Sequence, residues 1–138
     1  MIETRLKRRL AAAFAVAACA AAPALAQRTA EAPALGRLEK GLWQVRIVGA
    51  RQVAPRPICL GDRAMLAQLQ HRDNRCTRTV SASNANSVTI NYECAGVASG
   101  MSTIRVETSR LARIESQGID NGLPFAFRAE ARRVGTCR

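Results

Sequence analysis

Histidine, tryptophan and tyrosine each occur once in this chain of 138 residues, and aromatic side chains make up only 4% of it. So few rings provide no stacking platform for single-stranded nucleic acid, which needs several exposed aromatics along one groove. A single histidine and the absence of any Cys-x-x-Cys pair argue against a structural zinc site. Neither G-x-x-x-x-G-K-S/T nor G-x-G-x-x-G occurs, so the phosphate cradles of nucleotide-dependent enzymes are missing. Acidic residues are scarce, 10 against 21 basic ones, for a formal net charge of +11. No apolar run reaches the roughly 20 residues needed to cross a bilayer as a helix. The length allows one domain and excludes a large multidomain enzyme.

What is present begins with an address. Arg5, Lys7, Arg8 and Arg9 precede the apolar run Leu10 to Ala22, and Ala24-Leu25-Ala26 supplies the small residues of a cleavage site. This is the layout of a signal peptide over residues 1–26, cleaved before Gln27, and it predicts a periplasmic or secreted protein. The segment Val16-Ala17-Ala18-Cys19 also resembles a lipobox, so the alternative is a lipoprotein anchored through Cys19. Residues 27–40, rich in Ala, Pro and charge, are expected to form a flexible tether, with the folded domain over residues 41–138. Beyond the leader the chain keeps 17 basic against 9 acidic side chains, and Lys40 is the only lysine among them. The positive charge is therefore carried almost wholly by guanidinium groups.

Without Cys19, the cysteines are Cys59, Cys76, Cys94 and Cys137, an even set that reads as two disulfides in an exported chain. Three connectivities are possible, and hairpin geometry chooses among them. Cys76 to Val80 and Val88 to Cys94 alternate as strands around the turn-rich Ser83-Asn84-Ala85-Asn86-Ser87. A turn centred on Ala85 sets Val80 opposite Ile90, Arg78 opposite Tyr92 and Cys76 opposite Cys94, which is bridging distance. Cys59 is then left with Cys137.

The rest of the chain reads as strands. Leu42 to Val48 alternates with Trp43, Val45 and Ile47 on one face, and Pro55 and Pro57 break the pattern before a short Ile58-Cys59-Leu60 segment. Gly61-Asp62 caps a short helix that puts Met65, Leu66 and Leu69 on one face and ends near His71. Met101 to Ser109, Ala112 to Gly118 and Phe125 to about Arg133 alternate again, and Asp120-Asn121-Gly122-Leu123 carries the Asn-Gly signal of a type I′ hairpin. That hairpin sets Arg113 opposite Glu130, Glu115 opposite Arg128 and Gly118 opposite Phe125. A turn around Arg110 would set Arg105 opposite Glu115 and Glu107 opposite Arg113, giving rows of alternating charge across three strands. The opposite face collects Trp43, Val45, Ile47, Val80, Ile90, Tyr92, Ile104, Val106, Ile114, Phe125 and Phe127 as one core. The expectation is an all-β, mostly antiparallel, up-and-down curved sheet or partial barrel of about six strands, with one short helix and two disulfides.

Gly41-Leu42-Trp43, Cys59-Leu60 ahead of a short helix, the Cys76 to Cys94 hairpin and the closing Arg133-Val-Gly-Thr-Cys137 resemble the family called domain of unknown function 3617. The resemblance covers roughly residues 41–137, and the four-cysteine layout with its terminal Gly-x-Cys is the most specific part. It implies a small exported bacterial protein and adds no catalytic residues. Arg105, Glu107, Arg113 and Glu115 depart from the family pattern.

For function, the residues show no nucleophile with a base, no convergent pair of carboxylates and no metal set, so no enzyme activity and no cofactor are expected. His71 is expected at the end of the helix in a capping or surface role, and Asp62 as a cap. The leading reading is a binding or accessory module that meets an anionic envelope polymer or an envelope protein through arginine-rich loops, with Arg51, Arg56, Arg72, Arg75, Arg132 and Arg133 as the anion-binding candidates. The alternative is a carrier of a small apolar ligand on the concave face of the sheet, with Trp43, Tyr92, Phe125 and Phe127 lining the pocket. A monomer is expected, and nucleic acid is not an expected partner.

Overall fold

The computed structural model describes residues 32–71 and 75–138. The leader with Cys19, the first residues of the expected tether and Arg72 lie outside the described residues. Seven strands form one antiparallel sheet: β1 (Gly41–Ile47), β2 (Arg56–Leu60), β3 (Cys76–Ser83), β4 (Ser87–Cys94), β5 (Ala98–Thr108), β6 (Leu111–Asp120) and β7 (Leu123–Gly135). Their order is β2-β1-β7-β6-β5-β4-β3. The sheet is open, and it has one strand more than expected because the Ile58-Cys59-Leu60 segment lengthens into β2 against β1.

The run from β3 to β7 is a meander, whereas β1 pairs with β7 at the far end of the chain. To get from edge strand β2 to edge strand β3, the chain crosses the inner face as a 3-10 helix, Arg63–Gln68. The Asp62 carboxylate caps this helix by accepting from the Ala64 N–H at 3.0 Å, and it also accepts from Arg78 Nη2 at 2.6 Å. Leu66, Ala67 and Leu69 are thereby turned onto the sheet and buried. Each fully buried Leu or Ile of this kind contributes about 1.5–3 kcal/mol.

Residues 32–40, expected within a tether, instead belong to the domain. A one-turn helix α1 (Pro33–Gly36) buries Ala34 and Leu35, and Leu38 follows at 1% exposure. Glu39 holds the segment in place: its N–H donates to the Ser109 carbonyl, Ser109 Oγ donates to its carboxylate at 2.8 Å, and its carbonyl accepts from Trp43 Nε1 at 3.0 Å. Ala and Leu at these positions are apolar enough to cover the part of the inner face that the 3-10 helix leaves open.

The short-range registers agree with expectation. Cys76 faces Cys94, Arg78 faces Tyr92 and Val80 faces Ile90. Both expected disulfides form, Cys76–Cys94 with Cα atoms 4.0 Å apart and Cys59–Cys137 with Cα atoms 5.6 Å apart. Sequence separations of 18 and 78 residues correspond to about 3 and 4.5 kcal/mol in the loop-entropy account. In the β6–β7 hairpin, Arg113 faces Glu130, Glu115 faces Arg128 and Gly118 faces Phe125. Asn121 and Gly122 take the positive φ values, +49° and +80°, that a type I′ turn requires.

Two expectations are corrected. Val80 is 36% exposed because the inner side of edge strand β3 is uncovered there. In the β5–β6 hairpin, Arg105 faces Arg113 and Thr103 faces Glu115, two residues away from the expected pairing. The turn is a tight one in which Thr108 faces Leu111. Continued unbroken, that register would set Ile104 opposite Glu115 and mix the two faces. One bulged residue restores the alternation, and it is Glu107 of β5, beyond the last β4 partner, rather than Ala112 of β6, which is paired with β7.

Candidate functional site

One end of the inner face carries a row that crosses four strands: Tyr92 opposite Gly100, Gly100 opposite Gly118, and Gly118 opposite Phe125. The two aromatic rings lie down over the two glycines. A Cβ built on Gly100 would come within 2.5 Å of the Tyr92 hydroxyl, and one on Gly118 within 2.9 Å of the Phe125 ring. His71 sits over both rings, with centroids 5.8 Å from Tyr92 and 5.7 Å from Phe125.

Polar groups meet in this apolar setting. His71 Nδ1 is 3.3 Å from the Tyr92 hydroxyl, and Nε2 is 3.2 Å from the Asp120 carboxylate, off the line of a good hydrogen bond. In the next row Ser102 Oγ donates to the Ala67 carbonyl at 2.5 Å, tying the 3-10 helix to the sheet, and lies 2.7 Å from the buried Ser116 Oγ. Burial pushes the Tyr92 phenol above its ordinary value of 10.0, the neighbouring Ser116 hydroxyl offsets part of the rise, and the Asp120 carboxylate adds to it. His71 and Asp120 also line a cleft of about 450 Å³ with Arg75, Cys94, Ala95, Val97 and Asn121. Both nitrogens of the ring face protein groups, Nδ1 the Tyr92 hydroxyl and Nε2 the Asp120 carboxylate. The surface or capping role expected for His71 is corrected: its side chain is 11% exposed and packs on the Tyr92 and Phe125 rings. The row exists only in the observed β5–β6 register, since the expected one sets Gly100 opposite Asp120, so no signal in the sequence disclosed this cluster.

The expected anion-binding arginines do not form one patch among the described residues. Arg51 lies in the β1–β2 loop, Arg56 begins edge strand β2, and Arg75 precedes edge strand β3 beside the cleft. Arg132 is bound to Glu130 at 2.9 Å. Arg133 donates to the Lys40 carbonyl at 2.9 Å and lies 3.4 Å from Glu39. Their place at the end of the last strand did not disclose that these last two meet fixed acceptors.

The outer face of the sheet collects other arginines. One row reads Arg46, Glu130, Arg113, Arg105 and Ser87 across β1, β7, β6, β5 and β4. The next pairs Arg128 with Glu115 at 3.3 Å, then Thr103 and Thr89. Shallow clefts of about 560 and 320 Å³ lie on this side, and Arg105 and Glu107 line both.

The apolar-pocket residues are placed otherwise than expected. Trp43 is fully buried, Tyr92 is 3% exposed, and Phe125 and Phe127 stack on each other half-buried with centroids 6.1 Å apart. Helix α1, Leu38 and the 3-10 helix pack into the same core as Trp43, filling with protein the space a ligand over that ring would take. Among the described residues, no three His, Cys, Asp or Glu side chains come together to hold a metal ion, and no helix is long and apolar enough to cross a membrane.

Fold and cross-links together define a small, open, antiparallel β domain stapled by two disulfides, a chemistry of oxidising compartments outside the cytoplasm. The model of the family described as protein of unknown function (DUF3617) matches residues 38–137, and the chain belongs to that family. No curated protein and no solved structure matches the chain.

Proposed function

We propose that this protein is a non-enzymatic binding module of the cell envelope, exported by its leader, that engages an anionic envelope component through arginine side chains. The observation that carries this reading is the bare outer face of the sheet. Its charged side chains are Arg46, Arg105, Arg113, Arg128 and Arg132 against Glu93, Glu107, Glu115 and Glu130, with the arginines gathered on β1, β5, β6 and β7. Guanidinium groups held on a rigid sheet lose less freedom on binding than the same groups on loops, and they steer anions to the surface. The reading thus moves from the loop arginines to the sheet face. Retention on heparin and on immobilised lipopolysaccharide tests it, with an unrelated exported domain of equal net charge alongside. Elution at clearly higher salt than the control is expected, and co-elution with the control would end the proposal.

A further inference from the structure

The β5–β6 register carries an electrostatic oddity. Arg105 and Arg113 lie directly opposite each other on the solvent side, and like charges so placed are destabilising. The fold requires a bulge to restore alternation, and β5 offers the position that disturbs least pairing, but no packing need asks for arginine at both exposed positions. Arg113 has two acidic neighbours, Glu107 at 3.8 Å and Glu130 opposite it on β7, whereas Arg105 has no ion pair among the described residues. A local conflict of this kind, uncompensated at Arg105, is characteristic of binding surfaces.

The surroundings indicate what would resolve the conflict. Arg105 forms a shared wall between the two outer clefts. On one side stand Arg37, Asn84, Asn86 and Ser87, with Arg37 fixed by donating to the Ala85 carbonyl and the Asn86 side chain. On the other stand Arg113 and Thr103, together with the carboxylates of Glu107 and Glu115, of which Glu115 is held by Arg128 at 3.3 Å and Glu107 lies 3.8 Å from Arg113. One guanidinium fork satisfies the two oxygens of a carboxylate, whereas two guanidiniums facing across adjacent strands, with a hydroxyl between neighbouring rows, suit the oxygens of a tetrahedral phosphoryl group. We infer that Arg105 and Arg113 form a phosphoryl-binding subsite, organised by the Glu107 bulge, and this rests on the anion-binding reading above.

The test uses the full domain and two probes, tripolyphosphate in solution and vesicles of phosphatidylglycerol in phosphatidylcholine, which separate a free phosphate from a lipid headgroup. Arg105→Gln and Arg113→Gln should each weaken binding of the responding probe about three- to tenfold, while the same change at the exposed C-terminal arginine, Arg138→Gln, leaves it unchanged. Arg105→Glu supplies a second readout, since it replaces a repulsive pair with an attractive one. It should raise the Tm by about 1 to 5 °C and abolish binding, so that stability and affinity move in opposite directions. The subsite is refuted if neither probe binds, if Arg105→Gln binds as well as Arg138→Gln, or if Arg105→Glu lowers the Tm. Heparin retention that survives unchanged in Arg105→Gln would sink the subsite and leave the broader reading standing, whereas a wild-type protein that elutes with the charge-matched control loses both.

Discussion

Gly118→Ala is the most demanding test of the row beneath His71. A Cβ at this position would lie 2.1 Å from the Ser99 carbonyl oxygen and 2.6 Å from Gly100 Cα, both backbone atoms of β5, as well as 2.9 Å from the Phe125 ring. The ring can turn away, but the backbone contacts are relieved only if β5 and β6 separate by about 1 Å in the middle of a packed sheet. That places the substitution at the upper end of overpacking, about 3 kcal/mol, or a fall in Tm of about 10 to 20 °C for a domain of this size. Gly100→Ala meets only the Tyr92 side chain, at 2.5 to 2.8 Å, so its cost should be about 1–2 kcal/mol. Gly36→Ala meets nothing within 4 Å and should be neutral or slightly stabilising. Urea unfolding followed by the fluorescence of Trp43, the single tryptophan, reports all three on one scale. If Gly118→Ala unfolds within about 0.5 kcal/mol of wild type, below what any overpacking mechanism gives, the close approach of β5 and β6 is wrong.

The remaining predictions concern the cluster, the domain boundary and the cross-links. Tyr92 is the only tyrosine, so absorbance near 295 nm titrates it alone. Its folded value is raised, so its contribution to stability is fully present below the unfolded value of 10.0 and is lost as pH climbs through the folded value. A phenol that ionises in the native protein at or below its value in urea would contradict the burial argument. Leu38→Ala should cost about 2–4 kcal/mol in the same urea experiment, because the side chain is 1% exposed; a tether residue would show no change. Peptide mapping under non-reducing conditions should return Cys76 joined to Cys94 and Cys59 joined to Cys137, and the double variant Cys76→Ser, Cys94→Ser should keep the second bridge. A peptide joining Cys59 to Cys76 would overturn the β3–β4 register.

Hairpins were legible in the sequence because a turn and a two-residue alternation together determine their register. Asn121-Gly122 set β6 against β7, and Ser83 to Ser87 set Cys76 against Cys94, from which the second disulfide followed by exclusion. The β5–β6 turn defeated the same reasoning, since alternation demands a bulge there but does not say which strand carries it. Only pairing with a third strand decides that, and the two answers exchange a complementary charge row for facing arginines.

Contacts distant in sequence belong to the tertiary structure alone. Composition marked residues 27–40 as a tether, yet the same Ala and Leu side chains are what the uncovered inner face requires once the crossing from β2 to β3 is in place. His71, Tyr92 and Asp120 come together because β4 and β6 are two strands apart in the sheet while the 3-10 helix ends above them. Alternation, turns and an even cysteine count are properties of neighbouring residues, so the chain alone determined strands, hairpins and staples. Which face is covered, which charges meet and which polar groups share the interior depend on how those pieces pack, because burial is a property of the assembled domain.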